Sequence, residues 1–171
     1  MHAGVEGLDE TVLVWNGVVA RVPAVVVQPA SVQEVAAAVG YARDHGLLLS
    51  IRGGSRYAAG TAVAERAVTL DLSRMRDVTV DPGARLAHVG PGCPAGDVER
   101  IAQDYGLAVT REPDGLEEVE IVTVDGSVRI ANRDENADLF RAVGGGAGDV
   151  GVVTRLTFRL APRDRPHTAG R

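Results

Sequence analysis

Five residues, Arg52-Gly53-Gly54-Ser55-Arg56, follow directly on the aliphatic run that ends at Ile51. Glycine accepts positive φ, so a strand leaving in this way can turn several backbone N–H groups toward one point, and flanking guanidiniums favour an anion there. Phosphate is the natural ligand for such a turn. An ordinary strand exit with two solvated arginines explains the same residues equally well. A second turn, GGGAGDVGVV from Gly144 to Val153, carries five glycines in its first eight residues. Small residues there permit close backbone approach to a flat ligand, and a flexible loop before an edge strand is the alternative.

Other chemistry is sparse. All eighteen basic residues are Arg, which excludes a Schiff-base lysine and a Walker-type phosphate lysine. His2, His45, His88 and His167 have no metal-ligand spacing, so no metal is expected. His45 falls at a helix end and His88 on a strand face. Glu117, Glu118 and Glu120 flank a hairpin strand and read as a solvated face. The single cysteine, Cys93, reads as a small structural hydrophobe. Twenty-three acidic residues against eighteen scattered arginines give a net charge of −5, which argues against a nucleic-acid groove and for a small-molecule partner. No apolar run is long enough for a membrane span and no export signal is visible, so a cytoplasmic location is expected.

The elements that must position the two turns can be read from periodicity. VPAVVVQPAS (Val22 to Ser31) is a short buried strand closed by Pro29. Ser31 with Glu34 is a capping box, and the helix it opens has apolar Val32, Val35, Ala36, Val39 and Ala42 before stopping at Gly46. The next strand leads into the arginine-glycine turn, making Val22 to Gly54 a β-α-β unit. Ala67 to Met75 and Asp77 to Gly92 read as strands, the latter a pair joined at Asp81-Pro82-Gly83. A helix over Ala95 to Gly106 carries Val98, Ile101, Ala102 and Tyr105 on one face. A hairpin turns at Asp125-Gly126, ADLFRAV is a short helix, and VGVVTRLTFRLAP is a closing strand. The expected class is α+β with two subdomains, residues 1–78 and 79–162, and a tail over 163–171.

In this order and around these strands, the strings RVPAVVVQPASVQEVAAAVGYARDHGLLLSIRGG, AVTLDLSRM, GLAV and DENADLFRAVGGGAGDVGVVTRLTFRL resemble the PCMH-type FAD-binding domain of berberine-bridge-enzyme and 6-hydroxynicotine-oxidase flavoproteins. The resemblance runs from about Trp15 to Leu160. It implies two subdomains clasping an extended FAD, with the pyrophosphate on Arg52, Gly53, Gly54, Ser55, Arg56, Gly60 and Thr61. Gly148, Asp149, Gly151 and Val153 would form the flavin-side loop.

Three departures accompany it. Arg56 stands where the family has a flavin-linking His, and a guanidinium cannot form a histidyl-flavin bond. The long glycine-rich stretch that follows GLAV in the family is absent, because Val109 runs through REPDG straight into the next strand. The substrate domain into which the family continues is not expected in this chain. The expectation from these departures is a flavin-independent, redox-neutral cyclase or isomerase acting on a polyketide-like small molecule, with no FAD or weakly bound FAD. Arg52, Arg56 and Tyr57 are its candidate catalytic groups, holding developing oxyanion charge over a folded substrate. The alternative is an FAD-binding oxidoreductase domain or subunit completed by a partner chain, or by a homodimer, over the face a substrate domain would cover.

Overall fold

The structure, a computed structural model, describes residues 25–53, 67–110, 115–145 and 150–163. It is α+β, built on two sheets. The first is wholly parallel, with strands β1 (Val25–Val27), β2 (Leu49–Arg52) and β3 (Val68–Asp71) in the order β1-β3-β2. Central β3 is buried along its whole length, and its one interior hydroxyl is satisfied by Ser50 Oγ, 2.7 Å from Thr69 Oγ1.

Helix α1 (Val32–Asp44) joins β1 to β2. Its start follows the capping logic in a displaced form. Ser31 Oγ accepts from the Glu34 N–H at 3.3 Å, while the Glu34 carboxylate accepts from the N–H of Ala30, one residue before the cap. At the other end Gly46 takes φ +61°, and the N–H groups of Gly46 and Leu47 bond back to the carbonyls of Arg43 and Ala42, a Schellman closure. Between these ends the 3.6-residue period buries Val35, Ala38, Val39 and Ala42.

The segment after β3 departs from the strand expected through Met75. Asp71 Oδ1 accepts from the Ser73 N–H at 3.1 Å, and this local bond bends Leu72–Arg74 into a 3₁₀ turn.

The second sheet is antiparallel. Strands β4 (Val78–Asp81), β5 (Leu86–Val89), β7 (Leu116–Thr123), β8 (Val128–Asn132) and β9 (Gly151–Pro162) run in the order β4-β5-β9-β7-β8, and β6 (Leu107–Val109) pairs with the far end of β9. The closing strand is therefore interior, where an edge was the alternative: it bonds β5, β6 and β7 along twelve residues. Helix α2 (Ala95–Asp104) buries Val98 and Ala102, but Tyr105 caps the helix and is 52 % exposed, off the face expected for it. Helix α3 (Ala137–Gly144) lies on β7 and β8, with none of its residues fully buried. No helix among the described residues is long and apolar enough to cross a membrane.

Two apolar clusters hold these parts. One, under α2, joins Ala87, Val89, Val98, Ala102, Leu107 and Leu160, with Cys93 packed on its margin. The other lies under α1 and takes members from both sheets: Val35, Ala38 and Val39 meet Leu70, Leu72 and Met75 from one side and Val122 and Val152 from the other.

Candidate functional site

Parallel strands end together, and in open α/β sheets ligands bind beyond those carboxyl ends. Here the ends of β1, β3 and β2 bring Gln28, Asp71 and Arg52 to one edge, with Arg52 directly beside Asp71 in the ladder. Gly53 continues from Arg52 into the first glycine turn. A Cβ on Gly53 would stand 3.0 Å from the carbonyl oxygen of Pro91, so a second loop already backs the turn.

That loop, Gly90-Pro91-Gly92-Cys93, is the exit from β5. It lies flat on the 3₁₀ turn: the Gly92 N–H donates to the Met75 carbonyl at 2.9 Å, and the Gly90 N–H to the Asp77 carbonyl at 2.8 Å. Any side chain at Gly90 or Gly92 would collide with the backbone of Met75 or Leu72. Sequence reasoning spent this stretch on Cys93 and missed its glycines. The signal was available, since two glycines directly after a strand are what marked the other turns. Cys93 is half-buried, donates its thiol to the Pro94 carbonyl at 3.5 Å, and has its pKa raised by burial and by the Asp97 carboxylate, as suits a structural thiol.

The buried carboxylate of Asp71, only 5 % exposed, accepts from Gln28 Nε2 and from the Ser73 N–H, both at 3.1 Å. Burial pushes its pKa up, but the hydrogen bonds from Gln28 and Ser73 and the charge of Arg52 outweigh that, and the group lies below the usual carboxylate range. It is an anion at neutral pH.

Of the residues expected at the first turn, Arg52 and Gly53 stand at this edge. Gly54, Ser55, Arg56, Tyr57, Gly60 and Thr61 lie outside the described residues, as do Gly148 and Asp149 of the second turn. Gly151 and Val153 open β9, opposite Thr123 and Ile121. Gly151 has φ +148° and lies so close on the Val122 carbonyl that no Cβ fits. Ile51, directly before Arg52, packs against the first apolar cluster, and Val152, directly after Gly151, belongs to it, so one core anchors the roots of both turns.

The three glutamates expected on a solvated face are paired. Glu117 bonds Arg159 Nε at 2.6 Å, Glu118 accepts from Asn132, and Glu120 accepts from Thr154 Oγ1 at 2.8 Å with Arg155 at 3.5 Å. Their neighbours β8 and β9 supply partners that one strand's sequence cannot show. His88 Nδ1 lies 3.1 Å from Thr157 Oγ1 on the next strand, and His45 Nδ1 lies 2.9 Å from the Tyr41 carbonyl.

The basic strand end at Arg52, with Gly53 packed on the Gly90–Gly92 loop, forms a candidate cradle at the shared carboxyl end of three parallel strands. The family model described as FAD binding domain matches residues 23–128, and the chain belongs to that family. Its similarity to (R)-6-hydroxynicotine oxidase of Paenarthrobacter nicotinovorans is 28 % identity over 96 % of this chain and 42 % of that one. An FAD-linked oxidoreductase of Aspergillus fumigatus is 30 % identical over 93 % of this chain and 40 % of its own length.

Among solved structures, 6-hydroxy-D-nicotine oxidase from Arthrobacter nicotinovorans superposes with a TM-score of 0.86 at 26 % identity, covering 95 % of this chain and 42 % of that chain. Glucooligosaccharide oxidase from Acremonium strictum, studied for its 6-S-cysteinyl, 8α-N1-histidyl FAD, superposes at 0.81 and 27 % identity, over 91 % of this chain and 38 % of that one. The chain thus spans about two fifths of the length of the relatives it matches, and the curated relatives among them are FAD-linked oxidoreductases or oxidases.

Proposed function

We propose that this chain is the FAD-binding part of a flavin-dependent oxidoreductase, binding the cofactor without a histidyl bond and completed by a further segment or a partner chain that closes over the flavin ring. The observation that carries the reading is the place of the cradle: Arg52 and Gly53 stand at the shared carboxyl end of three parallel strands, within the residues that match the FAD binding domain model. FAD, when bound, supplies hydride acceptance from a small organic substrate. The protein would supply the Arg52 charge, at the ends of the parallel strands, for the diphosphate.

The redox-neutral cyclase remains a second reading. Arg56 in place of a linking His, and the direct run from Val109 into the strand at Leu116, favour it. The alignment with (R)-6-hydroxynicotine oxidase extends over 190 positions, more than this chain possesses, so that relative holds residues this chain lacks.

Absorbance from 300 to 500 nm and calorimetric titration with FAD separate the two. Uptake of one FAD per chain, with trichloroacetic acid releasing all of it to the supernatant, is the expected result. A colourless protein that gives no heat with FAD overturns the flavin reading and leaves the cyclase.

A further inference from the structure

Asp71 is a buried anion at the point where three strands end, beside a cradle for which a negative charge has no direct use. A carboxylate would repel a diphosphate, so its placement beside the glycine turn calls for a compensating gain. Its contacts indicate the gain. Gln28, the residue after β1, donates to it, and Arg74 Nη1 in turn donates to the Gln28 carbonyl at 3.3 Å. Ser73 of the 3₁₀ turn donates to it from the other side. Arg52 is its ladder neighbour, so both side chains leave the sheet on the same face. An ionised group at 5 % exposure needs donors and an opposite charge to offset its burial: Gln28 and Ser73 are the donors, and the charge of Arg52 on the neighbouring strand favours the anion.

We propose that Asp71 is the positioning residue of the cofactor cradle: it holds the Arg52 guanidinium over the shared strand ends, so that the arginine meets the diphosphate already oriented. This rests on the FAD reading above. Two opposed effects follow from removing its charge, and their signs differ. If Asp71 acted only as a nearby negative charge, Asp71→Asn would tighten binding of an anion. As the group that orients Arg52, its loss weakens binding.

The test uses the full chain, with FAD and with ADP as the diphosphate probe at one ionic strength. Asp71→Asn is expected to weaken both about tenfold, and adding Arg52→Met to that variant is expected to cost no more than about twofold again, because the two residues act as a unit. Equal or tighter binding by Asp71→Asn, or full multiplicative losses in the double variant, overturns the proposal. A readout without any ligand separates failure of the proposal from failure of the FAD reading. The Arg52 Nε–Hε cross-peak in ¹H–¹⁵N spectra, assigned by its loss in Arg52→Met, is expected to be dispersed in the wild type and to collapse toward the unstructured position in Asp71→Asn.

If Asp71→Asn does not fold, acid titration of the wild type gives the same information. The cross-peak collapses together with protonation of the Asp71 carboxyl, followed by its ¹³C shift. Binding of neither FAD nor ADP by the wild type removes the cofactor reading, and the cross-peak then decides the role of Asp71. A peak indifferent to Asp71 overturns it.

Discussion

A single methyl group is enough to test the cradle. At Gly92 an added Cβ would overlap the carbonyl of Leu72, and neither side is a flexible side chain that could give way. Gly92→Ala is therefore expected to lower stability by about 1–3 kcal/mol in urea denaturation, the range for overpacking a close contact, and to weaken FAD binding by moving the loop off Gly53. Gly96, where a Cβ meets nothing within 4 Å, is the control position.

A second prediction at this scale concerns Asp125, at the tip of the β7–β8 hairpin. Hydrogen bonds from Thr123 Oγ1 and from the N–H and hydroxyl of Ser127 depress its pKa to about 2, from an ordinary 3.8. Because the folded value lies below the unfolded one, the stabilisation is complete above about pH 4 and is lost as the pH falls through 2. Asp125→Asn is expected to be less stable than wild type at pH 7 and to converge on it at pH 2, as acid denaturation followed by circular dichroism will show.

At the scale of elements, local signals decided well and cross-strand ones did not. Ser31, Glu34 and Gly46 marked α1 within a residue at either end, because capping is written in side chains three or four positions apart. Ser31→Ala should cost about 1 kcal/mol in thermal or denaturant unfolding, the usual worth of such a cap. The Asp125-Gly126 hairpin was legible for the same reason. The 3₁₀ turn after Asp71 was not, since alternating Val68, Leu70 and Leu72 read equally well as a longer strand, and only the Asp71–Ser73 bond breaks the pattern. The exposed-looking glutamates of β7 were misread because their partners, Arg155, Arg159, Asn132 and Thr154, come from strands that pair with β7 only once the sheet has formed. Arg52 and Gly53 were readable at the candidate site as a strand-exit turn. Gly90 and Gly92 carried the same signal, glycines directly after a strand, whereas Asp71 was not readable, because its partners Gln28 and Ser73 reach it only once the strands have paired.

For the whole molecule, the first apolar cluster matters most. Leu70 of one sheet, with Leu72 and Met75 of the 3₁₀ turn that follows it, and Val122 and Val152 of the other sheet share α1, and Arg43 Nη1 adds a 2.6 Å bond from the helix to the Asp125 carbonyl. Two sheets with a common core should open together. Hydrogen exchange is expected to give amides of β3 and of β7 the same opening free energy. Val122→Ala should lower both by the same amount, about 2 kcal/mol for a large-to-small core change. A drop confined to β7 would mean that the sheets are independently stable.

The interior place of β9 has a consequence for synthesis. The β4–β5 and β7–β8 hairpins pair neighbours in the chain and can form as soon as each has been made, but β9, which joins them, spans residues 151–162. Both hairpins must therefore wait, with their inner edges unpaired, until the chain has grown past Pro162, and joining them requires contacts distant in sequence, the slow kind to form. On the ribosome that interval is when the exposed edges of β5 and β7 are open to pairing with other chains.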